Sequence, residues 1–202
     1  GRIDLTQAEA VLGVIEAARL EPDDRLVVLG DFVDRGPETG AVIDWLLARD
    51  RDQRLITLRG NHEAMMLAAR HDPAERDFWL ACGGTETLAS YHSDAEDLSL
   101  GNVPGDHWEF DQHACRRYYE TSTHIFVHAG LDPELPLDNQ PDHILYWDRF
   151  FDDPRPHQSG KIIICGHTPQ PGGMPISVGH AICIDTGVYL PDGWLTCLEV
   201  DS

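Results

Sequence analysis

The chain has 202 residues, of which 42% are hydrophobic and 25% are charged, and its formal net charge is −20. This composition is typical of globular proteins, and the length suits one domain with a substantial core, which we expect over residues 1–202. The negative field repels nucleic acids and anionic membranes at long range, so we expect neither as a partner.

Two further features of the sequence concern its compartment. No apolar run reaches the ~18 residues that a membrane-spanning helix needs, and no signal peptide is recognisable. The five cysteines form no C-x-x-C pair, and three of them lie inside apolar runs. Buried free thiols are typical of proteins from reducing compartments. We therefore expect a cytoplasmic protein, and the sequence leaves its oligomeric state open.

Helices and strands are predicted to alternate in the first third of the chain. Over residues 6–20 apolar side chains recur at helical spacing, and Thr6 with Glu9 has the pattern of a capping box. The elements that follow are strand 25–29, helix 39–48, strand 54–58 and helix 64–69. Strands separated by helices pair in parallel, so the loops after these two strands are predicted to meet at one edge of a sheet.

The loop after the first of these strands, Gly30–Gly36, carries two acids and an arginine. Asp31 offers a hard carboxylate to a divalent cation, Asp34 can orient a histidine, and Arg35 can grip a phosphate with its planar guanidinium. Taken alone, such a loop is more often a solvated acidic turn. The loop after the second strand, residues 59–63, adds Arg, Gly, Asn, His and Glu.

The rest of the chain is predicted to contain an insertion and four further strands. Residues 73–119 are mostly helical and rich in aromatic side chains, which we expect to build a satellite core beside the site. A surface loop over residues 132–140 leads into a short helix toward Tyr146 and Trp147. The four strands are 124–128, 161–165, 181–184 and 194–200.

Residues that favour metals or phosphate follow four of the predicted strands. They are Asp31, then Asn61 with His62, then His128, and finally His167. A lone histidine after a strand is more often a hydrogen-bonded core residue, and an asparagine before a histidine is more often a helix cap. Four such endings at one sheet edge are better explained by a site. The aspartate, the asparagine and the two later histidines form a mixed oxygen and imidazole set that suits Mn, Fe or Zn rather than Ca.

Five motifs of the chain resemble those of the PPP family of metallophosphoesterases, in the family's order and over essentially the whole chain. The closest likeness is to bacterial serine/threonine protein phosphatases of the phage-lambda type. The motifs are Gly-Asp-Phe-Val-Asp-Arg-Gly (30–36), Leu-Arg-Gly-Asn-His-Glu (58–63), Val-His-Ala-Gly (127–130), Gly-His-Thr-Pro (166–169) and Ile-Asp-Thr-Gly (184–187). The resemblance implies the calcineurin-like α/β fold, with a central β-sandwich flanked by helices and catalytic loops at one edge.

The resemblance also implies the metals and their ligands. Two divalent ions are expected, with manganese favoured over iron or zinc. Asp31 would bridge the two ions. The residues that complete the second metal site would be Asn61, His128 and His167. His180 is a less favoured substitute for His167, because it lacks the glycine and Thr-Pro flanks.

Catalytic and phosphate-binding roles follow from the same resemblance. His62 is similar to the family's general acid, held by Asp34, and Arg35 resembles its first phosphate-binding arginine. Arg149 lies in the segment Trp147-Asp148-Arg149 and is a candidate for the second. The alternative interpretation of Arg149 is a surface arginine at the end of a helix, which has the same sequence pattern.

One departure from the family concerns the first metal. The family's Gly-Asp-x-His-Gly motif, which supplies an aspartate and a histidine to that ion, does not occur here. Gly1 and Arg2 fit the last glycine of that motif and the residue after it. We hypothesise that the natural protein continues upstream with an N-terminal strand and Asp-x-His, because otherwise only Asp31 would hold the first ion.

The reaction implied is hydrolysis of phosphomonoesters by attack of a metal-activated water, on a phosphorylated protein or a small phosphoester. We expect a serine/threonine phosphatase, because Asp34-Arg35 and His62-Glu63 resemble the residues that protein phosphatases have at these positions. A symmetrical dinucleoside tetraphosphate hydrolase is one alternative, since it shares the architecture. The other is a non-catalytic module that binds phosphorylated partners, against which the intact acid residue His62 argues. The physiological substrate and any activity on phosphotyrosine stay open.

Overall fold

The first two strands of the described residues pair in parallel, and each is followed by one of the two charged loops. The structure, a computed structural model, describes residues 24–50, 54–92, 97–150 and 154–201. β1 (Leu26–Val28) lies beside β2 (Leu55–Thr57), with Leu26 opposite Leu55. Because the strands run in the same direction and in register, the loops that follow them leave the sheet at the same edge.

A helix follows each of these strands. α1 is Thr39–Asp50 and α2 is Asn61–Ala69. Both bury apolar side chains in one cluster, which includes Ile43, Leu46, Met65 and Met66. α2 begins three residues earlier than the predicted range 64–69, so residues 61–63 of the second loop form its first helical turn.

Five strands form the second sheet, in the order β3-β4-β5-β7-β6. They are β3 (Tyr119–Glu120), β4 (His124–Phe126), β5 (Ile162–Cys165), β6 (Ile176–Ser177) and β7 (Ala181–Cys183). The three central strands are parallel, and Cys165 of β5 lies opposite Cys183 of β7. The two outer strands are antiparallel to their neighbours. His128 and His167 therefore follow neighbouring parallel strands at the same end of this sheet.

The two sheets pack together, and helices cover them. Side chains of both sheets share one buried cluster, Ile56, Leu58, Phe126 and Ile164. The other side of the second sheet packs against α6 (Asp142–Trp147), whose Leu145 is fully buried beside Ile125 and Ile163. The predicted β-sandwich flanked by helices is thereby confirmed.

The strand predicted over residues 194–200 is wrong, because these residues form no regular strand in the structure. β7 already has β5 on one side and β6 on the other, so it offers no free edge for another ladder. The segment is instead attached by side chains, and Thr186 Oγ1 lies 2.7 Å from Thr196 Oγ1.

The insertion packs on the helices of the first sheet. It contains α3 (Pro73–Trp79), α4 (Thr85–Ala89), α5 (Gly105–Glu109) and two π-helical turns at residues 80–84 and 110–114. Asp72 starts α3, since its side chain accepts the Ala74 N–H at 2.8 Å. The satellite core predicted here is not separate, because Trp79 and Trp108 belong to the same cluster as Ile43 of α1.

The predicted helix over residues 6–20 lies outside the described residues. Of the helices within the described ranges, none combines the length and the apolar composition needed to cross a bilayer.

Gly83 allows the insertion to meet the first charged loop. It lies in the π-helical turn 80–84 with a φ of +123°, and its carbonyl accepts the Arg35 backbone N–H at 3.1 Å. A Cβ at this position would lie 2.7 Å from Arg35 Cγ. We expect Gly83→Ala to lower the free energy of unfolding by about 1–3 kcal/mol, because alanine is strained at this φ and the contact must shift.

Urea denaturation followed by circular dichroism measures this difference. Gly105→Ala is the matched control, since among the described residues no atom beyond its own helix backbone and chain neighbours lies within 4 Å of a Cβ placed there. The control should change the stability by less than ~0.5 kcal/mol. Equal losses in both variants would show that the fit between Gly83 and Arg35 does not matter.

Candidate active site

The first two loops approach each other so closely that both contacts require glycine. A Cβ on Gly30 would lie 2.6 Å from Gly60 N, and a Cβ on Gly60 would lie 2.3 Å from Asp31 Oδ1. The two main chains therefore pack directly against each other. This contact brings Asp31 to the start of α2, where the backbone N–H of His62 donates to Asp31 Oδ1 at 3.2 Å.

A buried carboxylate joins the same two loops. Glu63, in the first turn of α2, accepts backbone N–H groups from Asp31 (2.8 Å), Phe32 (2.9 Å), Val33 (3.2 Å) and Gly60 (2.7 Å). Burial raises the pKa of Glu63 and the nearby Asp31 adds to this, while the main-chain hydrogen bonds oppose it. The four donors converge on one side chain, so its oxygen atoms fix the relative position of the loops.

Acceptor atoms from separate loops converge around one ring nitrogen of His128. His128 Nδ1 lies 2.7 Å from the carbonyl oxygen of Leu29, to which it donates a hydrogen bond. In the neutral imidazole the other nitrogen, Nε2, then presents a lone pair. It lies 3.0 Å from Asn61 Oδ1, 3.1 Å from His167 Nδ1 and 3.4 Å from Asp31 Oδ1. A backbone carbonyl on the far nitrogen is the usual partner of a metal-binding histidine.

We call Asp31, Asn61, His128 and His167 the acceptor cluster. The chemistry of this cluster fits a metal ion. Asp31, His128 and His167 each offer one ligand atom, and these atoms lie within 4.8 Å of one another. Burial, and then the nearby His128, lower the pKa of His167 to about 4. The His167 ring is therefore neutral at physiological pH, which is the form that binds metals. Converging oxygen and nitrogen lone pairs repel one another, and a divalent transition metal relieves that repulsion.

Four residues of the candidate site have a left-handed backbone. They are Asp31 (φ 56°), Asp34 (φ 73°), Arg35 (φ 61°) and His167 (φ 63°), and no other non-glycine residue in the described parts of the chain has a positive φ. Such conformations cost of order 1 kcal/mol or more each and persist only where the surroundings enforce them. In the first three, the backbone N–H is held by a hydrogen bond from the loop to Glu63, Thr87 or Gly83.

His62 and Asp34 form a buried pair beside this cluster. His62 Nδ1 lies 2.6 Å from Asp34 Oδ2, and the two side chains are 3% and 0% exposed. His62 is also close enough to Asp31 to affect its ionisation. Burial alone would raise the pKa of the Asp31 carboxyl, but the charges of His128 and His62 lower this pKa below its usual range. The pair thus has one ring nitrogen held by a carboxylate and lies next to the acceptor atoms.

Two residues of the insertion that sequence analysis did not assign to the site contact the same aspartate. Trp79 Nε1 lies 3.0 Å from both carboxylate oxygens of Asp34, and Thr87 Oγ1 donates to Oδ1 at 2.8 Å. The sequence indicated Trp79 only as a core aromatic residue. Its contact with Asp34 spans 45 positions, so no local pattern could reveal it.

The two candidate phosphate-binding arginines are both at least partly accessible to solvent. Arg35 is half-buried, and its guanidinium carbon lies 4.8 Å from the ring centroid of Tyr189. Arg149 is exposed just after α6, and the next residue, Phe150, donates its N–H to Thr168 Oγ1 at 2.9 Å. This hydrogen bond attaches the Arg149 segment to the loop that carries His167. Burial raises the pKa of Tyr189, and the charges of Arg35 and Arg149 partly oppose that rise.

The predicted substitute ligand His180 lies apart from the acceptor cluster, whereas Asp185 is close enough to Asp31 and His128 to interact with their charges. His180 Nε2 contacts the carbonyl oxygen of Pro154, so the structure does not bring it to the acceptor cluster in place of His167. Asp185 accepts the backbone N–H of Gly187 at 2.9 Å, and burial raises its pKa. Gly1 and Arg2 are outside the described residues.

The sequence matches the calcineurin-like phosphoesterase family over residues 5–190. The chain belongs to this family. As a calcineurin-like phosphoesterase it is a hydrolytic enzyme, and its family usually binds divalent metals, in agreement with the acceptor cluster. Among curated proteins, none matches the sequence significantly.

A solved structure that resembles this phosphoesterase is described as a "putative diadenosine tetraphosphatase". The two share 19% identity and a TM-score of 0.60, and the match covers 94% of this chain and 82% of the other. At that identity the likeness shows the fold alone. Neither finding separates the phage-lambda type of phosphatase from other members of the family.

His167 should make the stability of the metal-free protein depend on pH. Its pKa is about 4 in the folded state against 6.5 ordinarily, so the unfolded chain binds more protons between these values. The free energy of unfolding should therefore fall as the pH is lowered from about 6.5 toward 4. Urea denaturation in EDTA at several pH values measures the slope. His167→Asn should flatten it and exposed His143→Asn should not; an unchanged slope in His167→Asn would contradict the assignment.

Glu63→Gln tests the carboxylate that joins the two loops. The amide keeps the shape but presents an NH₂ group to backbone donors, so at least one of them loses its acceptor. We expect a loss of ~3 kcal/mol in the free energy of unfolding, because a buried hydrogen bond to a charged group is lost and a donor is left unpaired. Glu38→Gln, a partly buried glutamate near the start of α1, is the comparison. A loss no larger than that of Glu38→Gln would mean that Glu63 does not hold the loops.

Proposed function

We propose that this calcineurin-like phosphoesterase hydrolyses phosphomonoesters and that its substrates are proteins phosphorylated on serine or threonine. The observation that carries the proposal is the His62–Asp34 pair beside the acceptor cluster, with Nδ1 and Oδ2 2.6 Å apart. Serine and threonine leave as alkoxides, which are strong bases, so their departure depends on a positioned acid. A phosphate ester with a weakly basic leaving group has little need for one.

The proposed metal ions are assigned to the residues of the acceptor cluster. We propose two divalent ions, with manganese favoured over iron or zinc, and assign to them Asp31, Asn61, His128 and His167. When bound, the ions supply positive charge that polarises the phosphoryl group and activates the attacking water.

His62 is proposed as the general acid. With Nδ1 held by Asp34, its proton for the leaving group lies on the other ring nitrogen, Nε2. Transfer of this proton to the leaving oxygen yields the neutral alcohol and a neutral imidazole, which water reprotonates. Asp34 keeps the ring in one orientation and stabilises the charged imidazolium.

Arg35 and Arg149 are proposed to bind the phosphoryl oxygens. Their support is the contact of Arg35 with Tyr189 and the attachment of the Arg149 segment to the loop of His167, together with the planar guanidinium that matches phosphate geometry. Because the chain has a net charge of −20, these local cations also offset the repulsion of a phosphorylated substrate.

Hydrolysis of a dinucleoside tetraphosphate is the second candidate. It is supported by the fold shared with the protein described as a putative diadenosine tetraphosphatase. The leaving group in that reaction is a nucleotide phosphate, a weak base, so the buried acid pair favours phosphomonoesters of alcohols. A module that only binds phosphorylated partners is the least supported, because it has no need for the pair.

Replacement of His62 by asparagine tests the acid role. We expect the full-length protein with Mn²⁺ to lose about 10²–10⁴-fold in kcat on an alkyl phosphate. On p-nitrophenyl phosphate, whose leaving group needs no proton, the loss should be much smaller. His71→Asn, an exposed histidine just beyond α2, is the control. Equal losses on both substrates would remove His62 from this role.

A direct comparison of substrates tests the rest of the proposal. A phosphoserine peptide should be hydrolysed with a higher kcat/KM than diadenosine tetraphosphate, in each case with Mn²⁺. The reverse order would favour the tetraphosphatase. Absence of metal-dependent hydrolysis of both compounds would contradict both substrate assignments.

A further inference from the structure

We propose that Trp79 and Thr87 are positioning residues for the general acid, acting on His62 through Asp34. The inference rests on the proposed function, because it needs His62 to donate a proton. It assigns a part in the chemistry to the insertion, whose α3 ends at Trp79 and whose α4 contains Thr87. Neither residue needs to touch the substrate for this role.

The indole of Trp79 restrains both oxygens of the carboxylate. Its Nε1 lies 3.0 Å from Oδ1 and 3.0 Å from Oδ2 of Asp34, and the whole side chain is buried. A Cβ on Gly84 would lie 2.5 Å from the Trp79 ring, so the π-helical turn packs directly on the indole. The donor is therefore held in place from behind, and a rotation of the carboxylate would lose this shared hydrogen bond.

The hydroxyl of Thr87 holds Asp34 at two points. Thr87 Oγ1 donates to Oδ1 at 2.8 Å and accepts the Asp34 backbone N–H at 2.8 Å. Since its only proton goes to the carboxylate, the contact with Thr39 Oγ1 at 3.2 Å must have Thr39 as donor. The hydroxyl thus has a complete and directed set of partners, and it supports the left-handed backbone of Asp34 as well as its side chain.

The result is one orientation of the carboxylate. Thr87 donates to Oδ1, Trp79 Nε1 lies equally close to both oxygens, and Oδ2 faces His62 Nδ1 at 2.6 Å. The side chains of Asp34, His62, Trp79 and Thr87 are all buried. Loss of one hydrogen-bond donor is therefore costly, because water cannot readily take its place. Gly83, which lies between Trp79 and Thr87, accepts the backbone N–H of Arg35. The orientation of the acid and that of the proposed phosphate-binding loop therefore both depend on residues 79–87.

Substitutions that remove the hydrogen-bonding groups of the two side chains test the proposal. Thr87→Val is nearly isosteric and removes the hydroxyl, and Trp79→Phe removes the indole N–H. In full-length protein with Mn²⁺, each should lower kcat on an alkyl phosphate roughly 10-fold or more beyond any loss on p-nitrophenyl phosphate, because a buried hydrogen bond to a charged group is removed. Thr87→Ser keeps the hydroxyl and should recover most of the selective loss.

Two controls separate this effect from a general loss of packing. Trp45→Phe removes an indole N–H that has no hydrogen-bond partner within the described residues, and Thr85→Val removes an exposed hydroxyl that donates to Leu80 O. Neither should change the ratio of the two activities. If Trp79→Phe does not fold, Thr87→Val alone decides the test.

The order of measurements keeps the two proposals apart. Asp34→Asn and His62→Asn come first, and equal losses on both substrates in these variants would overturn the proposed function itself. If they are selective for the alkyl phosphate but Thr87→Val is not, the positioning role is overturned. In an Asp34→Asn background the selective effect of Thr87→Val should disappear, and its persistence would show that Thr87 acts by another route.

Discussion

The arrangement of the site depends on a single buried carboxylate. Glu63 accepts four backbone N–H groups, three from the loop after β1 and one from the loop after β2. Backbone donors without an acceptor in a buried position are costly, so this carboxylate is what allows two polar loops to pack against each other without water. Asp31 and Asn61, which the sequence placed in loops after separate strands, approach the same His128 nitrogen because the loops are joined in this way.

The rest of the site is assembled around Glu63 from segments that are distant in the sequence. The second sheet brings His128 and His167, and the insertion brings the donors that surround Asp34. The helical insertion therefore packs on the first sheet as part of the frame around the acid pair. Its aromatic residues contribute to the main core at the same time, so the stability of the fold and the geometry of the pair rest on shared side chains.

The parts of the structure that the sequence predicted are those set by local pattern. Short apolar strands alternating with helices predicted parallel pairing, and the polar residues after them were predicted to meet at one edge, where the structure brings Asp31, Asn61, His128 and His167 together. The parts that it missed depend on contacts across the chain. Glu63 and Trp79 bind partners 30 to 45 positions away, and the strand expected near Trp194 fails because both edges of β7 are occupied.

The four left-handed residues have a consequence for engineering. Glycine, and to a lesser degree asparagine, occupies such backbone at little cost, so substitutions at Asp31, Asp34, Arg35 and His167 relieve strain while they remove the groups on which the candidate chemistry depends. Selection of this chain for heat resistance alone would thus be drawn toward variants that lack these side chains. A thermostable catalyst has to be sought at other positions, such as surface loops far from this edge.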